Sequence, residues 1–314
     1  MGDRQRSVEE ALDRWLLQLP DGSLYVPIRY IMRLPAKRIR PVAMLMSCGV
    51  FSDRIEEALS PALGLELFHN FTLMHDDIMD RAPLRRGQPT VHEKWNINSA
   101  ILSGDAMLVK AYELLSIDVD LLKVFNAAAL DVCEGQQLDM DFEDRTDVSV
   151  DEYLEMIRLK TASLLGCALR MGAIIGGAGE DDRLLMGSFG EKLGIAFQLR
   201  DDILDAFGDP GKVGKKTGGD LKAGKKTWLL IRALEKEQAA GERELQDQLM
   251  LDPDARDVGS MLAVLDRYDV RNEAAAVADR YEREALDALR SVKAEEDRKQ
   301  PLYDLAQALI ARAY

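Results

Sequence analysis

Apolar side chains recur along this chain at intervals of three and four residues, and the alternating β-branched runs that mark a half-buried strand are nearly absent. This period constrains the fold more than any other feature. It gathers side chains into one stripe of a helix, whereas a strand would scatter them over both faces. The residues that fill the pattern, chiefly Ala, Leu, Met, Glu, Lys and Arg, are also those that lose least on entering a helix, and aromatics are only 6% of the chain. The expected fold class is all-α. Ser60-Pro61 reads as an N-cap with proline at the first helical position, and the apolar run 63–74 continues without a breaker to Asp80. Helical patterns cover 99–115, 121–142, 150–175 and 183–207, then 228–237, 242–249, 261–268, 273–292 and 301–313. Between the two groups lies 208–227, GDPGKVGKKTGGDLKAGKKT, too rich in Gly and Lys to be helical throughout and expected to be a functional loop. A chain of 314 residues that is 47% hydrophobic has material for one large core or two, but no linker or fixed-period repeat divides it. A single domain over 1–314 is expected.

Charge and composition exclude several functions. A formal net charge of -14 argues against a nucleic-acid binder, which needs a basic footprint. No uncharged stretch approaches the roughly 18–20 residues needed to cross a bilayer, and no apolar leader follows the N-terminal Met-Gly-Asp-Arg-Gln-Arg, so no membrane span and a cytoplasmic location are expected. Cys48, Cys133 and Cys167 are far apart, each in an apolar helical pattern, and are expected to be buried reduced thiols.

Two segments read Asp-Asp-x-x-Asp: Asp76, Asp77 and Asp80 in HDDIMD, and Asp201, Asp202 and Asp205 in RDDILD. On a helix the outer two of each set stand one turn apart and the middle one is displaced by about 100°. Three crowded carboxylates repel unless a cation lies between them, and hard oxygen donors of this kind suit magnesium, which also takes water and phosphate oxygens. Each set closes a long apolar helix, where a solvated acidic patch is a poor explanation. Separate basic groups accompany them: Lys37, Arg38 and Arg40; Arg85 and Arg86; Lys160, followed by Thr161; and Lys212, Lys215, Lys216, Lys222, Lys225 and Lys226 in the loop. Arginine forks and lysine point charges are the side chains that hold phosphates. The pattern points to magnesium and diphosphate.

The segments HNFTLMHDDIMDRAPLRRGQPTVH, GQQLD, LKTASLL and FQLRDDILDAFGDPGKVGKKTGGDLKAGKKT resemble the polyprenyl (isoprenyl) diphosphate synthases, over residues 37–227 and with similar helices on both sides. The resemblance implies a bundle of antiparallel helices around a central cavity, with the two Asp-rich segments facing each other across its mouth, as a homodimer. It implies that Asp76, Asp77, Asp80, Asp201, Asp202 and Asp205 hold three Mg²⁺ ions on an allylic diphosphate, which Arg85, Lys160, Lys215 and Lys225 also bind. Isopentenyl diphosphate would lie against Lys37, Arg40, His69 and Arg86, and Thr161 and Gln198 would turn dipoles toward the carbocation. His69 precedes Asp76 by two helical turns, consistent with a neighbouring subsite about 10 Å away. The implied reaction joins isopentenyl diphosphate head to tail to dimethylallyl, geranyl or farnesyl diphosphate.

Some positions depart from the pattern. Pro35-Ala36 stands where the family usually has Gly-Gly, the basic C-terminal tail is reduced to Arg312, and the first motif lacks the two-residue insertion of typical bacterial farnesyl diphosphate synthases. Phe71 and Thr72 are fifth and fourth before Asp76, and about 1.5 Å of rise per residue puts Phe71 roughly 7–8 Å from the metal end, deep enough to stop a short chain; one large residue there without a second beside it resembles the pattern of family members that make C20 products, with C15 next. A terpene cyclase would need an Asn/Ser/Glu triad where DDILD stands, and a non-catalytic partner subunit tends to lose one Asp motif. A P-loop reading of Gly219 to Lys225 fails because Lys226 replaces the required Ser or Thr and no strand precedes it. A purely structural helical scaffold has no need of paired metal sites.

Overall fold

The computed structural model describes residues 2–208 and 217–311. The chain runs through α1 (Gly2–Gln18), α2 (Val26–Arg33), α3 (Ile39–Phe51), α4 (Leu59–Met79), α5 (Val91–Lys94), α6 (Ile97–Leu115), α7 (Val119–Asp144) and α8 (Val150–Ile157). Then follow α9 (Ser163–Ile175), α10 (Glu180–Phe207), α11 (Gly219–Ala223), α12 (Trp228–Ala240), α13 (Glu244–Leu249), α14 (Val258–Arg267), α15 (Val270–Ser291) and α16 (Glu296–Ile310). The fold is all-α. The one departure among the described residues is a hairpin of β1 (Leu84–Arg85) and β2 (Gln88–Pro89), paired Leu84 to Pro89 and Arg85 to Gln88. No helix among them is long and apolar enough to cross a membrane.

The chain divides into two compact units, Met1–Asn126 with Ala168–Leu184 and Lys293–Leu302, and Ala127–Cys167 with Leu185–Val292 and Tyr303–Tyr314. In the first, α3 is buried from Pro41 to Val50 without a break and α4 from Pro61 to Phe68, as expected of helices that are apolar on every side. Glycines let their neighbours approach. A Cβ on Gly64 of α4 would lie 2.8 Å from Leu115 Cγ of α6, and one on Gly172 of α9 only 2.3 Å from the Met44 carbonyl oxygen of α3. The Ser47 hydroxyl donates to the Leu169 carbonyl across the same contact.

In the second unit Tyr153, Leu199, Trp228, Leu230, Val264 and Leu265 belong to one core cluster. The pattern at 150–175 is not one helix. Between α8 and α9 the backbone widens into a π-helical turn, Arg158–Ala162, which holds Lys160 and Thr161. It is wedged between two glycines: a Cβ on Gly135 would lie 2.3 Å from the Lys160 nitrogen, and one on Gly194 2.7 Å from Ala162 Cα. Such turns recur at functional positions.

Other local expectations are corrected. A 3₁₀ turn, Ile55–Ala58, feeds directly into α4 at Leu59, so Ser60 is inside the helix and caps nothing. The last helix starts at Glu296 and carries Pro301 within it, and α6 starts at Ile97 because the Asn96 side chain accepts the Ser99 N–H. Cys48 and Cys167 are buried as expected, but Cys133 is exposed on α7. In Gly172→Ala, the clash with an immovable carbonyl should outweigh the gain in helix propensity and lower stability by about 1–3 kcal/mol. A thermal midpoint equal to that of the wild type would contradict the close contact of α3 and α9.

Candidate active site

Helix α4 ends at its carboxylates. Asp76 is half-buried, Asp77 is 2% exposed and Asp80, the C-cap, is exposed. A carboxylate as deep as Asp77 needs a partner, and Arg85 of β1 supplies one. Its Nε donates to both Asp77 oxygens at 2.9 and 2.8 Å, and its Nη2 lies 2.7 Å from Oδ1. The reach back depends on the turn after β1, where Arg86 and Gly87 have φ of 53° and 74°. Left-handed geometry at both central residues is what a two-residue hairpin turn requires.

The same turn carries Arg86 to a cavity of about 110 Å³ on the first unit. Lys37, Arg40, His69 and Arg86, the four residues expected at isopentenyl diphosphate, all line it. Beside them lie Arg38 and Glu66, buried at 3% and 2% and paired at 2.8 Å, with Arg38 also bonded to Glu9 at 3.1 Å and to the Met32 carbonyl. Burial works against the charge of Arg38, but Glu66 and Glu9 more than offset it. The cavity's one carboxylate is thereby engaged. Burial lowers the pKa of Arg40 and of Arg86. His69 is lowered well below the usual histidine range by burial and then by Arg40, Arg86, Arg85 and Arg38. Its ring, 3.2 Å from Arg40 Nη1, is therefore neutral at neutral pH. Lys37 and Arg86 are exposed and Arg40 half-buried, and cations crowded in this way are stabilised when an anion arrives.

Below the first carboxylates, Phe71 packs on Phe68 and His75, with ring centroids 5.7 and 4.7 Å apart. The Thr72 hydroxyl is turned to its own helix, donating to the His69 carbonyl at 2.8 Å. Opposite His75, α6 has Gly104, where a Cβ would fall 2.3 Å from the imidazole Nε2.

The second unit repeats the arrangement of carboxylates with different partners. Near the end of α10, Asp201 is exposed, Asp202 is 4% exposed and Asp205 is half-buried. Asp202 accepts from the Tyr153 hydroxyl and, at 3.0 Å, from Gln198 Nε2. Burial pushes its carboxyl up to about 7, against the pull of these two hydrogen bonds and of the Lys225 charge. Gln198 Oε1 in turn accepts from the Thr161 hydroxyl at 3.4 Å, and Lys160 is paired with Asp139, the last residue of GQQLD. Asp205 Oδ2 accepts the Asp220 N–H at 2.9 Å, which ties α11 to the end of α10. Lys222 is spent on Asp254, and Lys212, Lys215 and Lys216 lie outside the described residues, as does Arg312.

The donor set fits magnesium. Among the described residues no three His, Cys, Asp or Glu side chains already form a metal cage. Magnesium, however, takes only one or two carboxylates and completes its shell with water and phosphate. Asp77 and Asp202 have their oxygens occupied, and their outer neighbours are the more accessible oxygen donors. Sequence reasoning did not single out Glu66, Asp139 or Tyr153. Glu66 had left a signal, a carboxylate inside the apolar run 63–74.

A helical chain with a basic cavity and two carboxylate helix ends has the donors and cations suited to phosphorylated substrates and divalent cations. The chain belongs to the polyprenyl synthetase family, whose model matches residues 21–265. It is 41% identical over 241 residues to a geranylgeranyl diphosphate synthase of Methanosarcina mazei, covering 74% of each chain. It is 36% identical over 293 residues to one of Sulfolobus acidocaldarius, covering 87% of this chain and 86% of that one. The solved geranylgeranyl pyrophosphate synthetase of Pyrococcus horikoshii matches it with a TM-score of 0.91 at 32% identity, over 98% and 97% of the two chains.

The position of His69 among cations has a pH signature. Its folded pKa lies below the ordinary 6.5, so the unfolded chain takes up the proton first. Its contribution to stability is complete above that ordinary value and is lost as pH falls through the folded one. In metal-free buffer the thermal midpoint should fall between about pH 7.5 and 5.5, and His69→Gln should flatten the fall. An equal slope in both proteins would contradict the assignment.

Proposed function

We infer that the chain catalyses head-to-tail condensation of isopentenyl diphosphate with an allylic diphosphate, releasing diphosphate and a short all-trans prenyl diphosphate. The observation that carries this reading is the clustering of Lys37, Arg40, His69 and Arg86 around one partly open cavity on the unit that bears Asp76 and Asp80. Family membership and the relatives' names support the reaction class and a product leaning to C20.

Asp76 and Asp80, with Asp201 and Asp205, are the proposed magnesium ligands, for three ions in all. Asp77 and Asp202 then position their neighbours, because their own oxygens already have donors. Magnesium, when bound, neutralises the charge that collects on the departing diphosphate. On the protein's side, Arg85, Lys160, Lys215 and Lys225 hold the allylic diphosphate, with Lys160 exchanging Asp139 for a phosphate oxygen. Thr161 and Gln198 turn oxygen dipoles toward the allylic cation as the C–O bond breaks. The cavity of His69 and Arg40 orients isopentenyl diphosphate so that its double bond forms the new C–C bond. A proton then leaves to the released diphosphate. We assign 1–314 to one isoprenoid synthase domain with 208–227 as its active-site loop, a role supported by the bond from Asp220 to Asp205. A cytoplasmic location is proposed, and a homodimer is the proposed form, the latter supported by the exposed apolar residues Ile101, Leu102 and Val109 along α6.

Asp76→Ala and Asp201→Ala should each lower turnover by orders of magnitude while circular dichroism stays unchanged. Near-normal turnover in both would overturn the metal assignment. Phe71→Ala should lengthen the product by at least one isoprene unit, read by mass spectrometry, and an unchanged product would move the chain-length floor elsewhere.

A further inference from the structure

A second cavity, of about 540 Å³, opens on the first unit and uses none of the residues assigned above. One face of α2 forms its wall: Val26, Arg29, Tyr30 and Arg33 stand at spacings of three and four, while Pro27, Ile28, Ile31 and Met32 are buried on the other face. Leu34 and Pro35 extend the wall, and Lys94 and Trp95 close it from the segment after β2. The volume is that of a small-molecule site, about 300–1,000 Å³.

Its chemistry is one-sided. Three cations line it and no carboxylate does, in a chain whose net charge is -14. Arg29 is fastened to the Leu19 and Pro20 carbonyls at 2.7 and 3.1 Å, and Asp21 lies 4.0 Å from it, whereas Arg33 and Lys94 are exposed. Cations in this setting recruit an anion. The aromatic residues do not offer a slot for a flat ligand. The Lys94 ammonium already covers the Tyr30 ring at 3.8 Å, and Tyr30 and Trp95 meet edge-on with planes at 75°. What remains beside the cations is the apolar strip of Val26, Leu34 and Pro35, which suits an acyclic tail.

This cavity shares its frame with the basic pocket. The chain lines one cavity with Leu34 and Pro35 and the other with Ala36 and Lys37, and Gln88 and Arg86 divide between them in the same way across the left-handed turn. The Tyr30 hydroxyl fastens the hairpin to α2 by donating to the Pro89 carbonyl at 2.7 Å. A ligand that moves α2 or the hairpin therefore moves residues that hold isopentenyl diphosphate.

We propose that this cavity is a second, regulatory site for an amphiphile with a phosphate or diphosphate head and an acyclic apolar tail. Occupancy weakens binding of isopentenyl diphosphate through segments 34–37 and 86–89. The choice of a prenyl diphosphate as that amphiphile rests on the function proposed above, since the reaction's own product belongs to the class.

Hydrogen–deuterium exchange on the full chain in EDTA, with geranylgeranyl diphosphate as the probe, tests it. Peptides covering 26–35 and 88–95 should be protected, and inorganic diphosphate alone should protect them far less. Arg33→Glu combined with Lys94→Glu should raise the half-saturating concentration at least tenfold, and the milder Arg33→Gln with Lys94→Gln should raise it in the same direction. Basal turnover should stay as in the wild type, while the rise in KM for isopentenyl diphosphate caused by added product is lost. Three results would overturn the proposal: no protection of these peptides, protection indifferent to the charge changes, or protection without ligand that disappears on dilution, since a second copy would then cover the groove. A wild-type chain that is protected but does not turn over would instead overturn the reaction and leave the site standing.

Discussion

A carboxylate buried at the end of a helix must be compensated, and much of the site follows from how Asp77 meets that requirement. Leaving such a charge unpaired costs about 3–5 kcal/mol, a large part of the stability of a whole domain. Arg85 can reach Asp77 because the chain reverses at once through Arg86 and Gly87 in left-handed geometry. That reversal also places Arg86 beside His69 and Arg40. One ion pair thus holds the carboxylate helix end and the basic pocket in register.

Asp202 meets the same requirement with neutral donors. Tyr153 and Gln198 bond its oxygens, and without an arginine fork burial prevails and pushes the carboxyl up to about 7. In both motifs the middle aspartate is the most buried of the three, and its neighbours are more exposed. The basic pocket is built on the converse logic. Glu66 is engaged by Arg38, so the remaining charge around His69 is positive. Groups fixed in this way during folding are suited to stabilise charge that appears on a phosphate.

Periodicity alone made the helical class legible, because no other element gathers residues spaced by three and four on one side. The carboxylate sets were legible from their spacing and donor chemistry, and the grouping of Lys37, Arg40, His69 and Arg86 through the resemblance to a family; those four do meet in one cavity. Features that depend on two distant segments were not legible. Gly135 and Gly194 were visible as letters, but their contact with the turn at Lys160 and Ala162, and hence the π-helical break, exists only after folding. Ser60 has the residue type and the proline of a helix start, yet the preceding 3₁₀ turn already supplies the helical geometry. The hairpin escaped notice because two residues per strand are too few to show an alternation.

Incubation of the purified chain with isopentenyl diphosphate and, in turn, dimethylallyl, geranyl and farnesyl diphosphate, in Mg²⁺ and in EDTA, addresses the central claim directly. Mass spectrometry should find a prenyl diphosphate longer than each primer, ending at C20, in Mg²⁺ and none in EDTA. A hydrocarbon released without elongation, or no product from any primer in Mg²⁺, would contradict it.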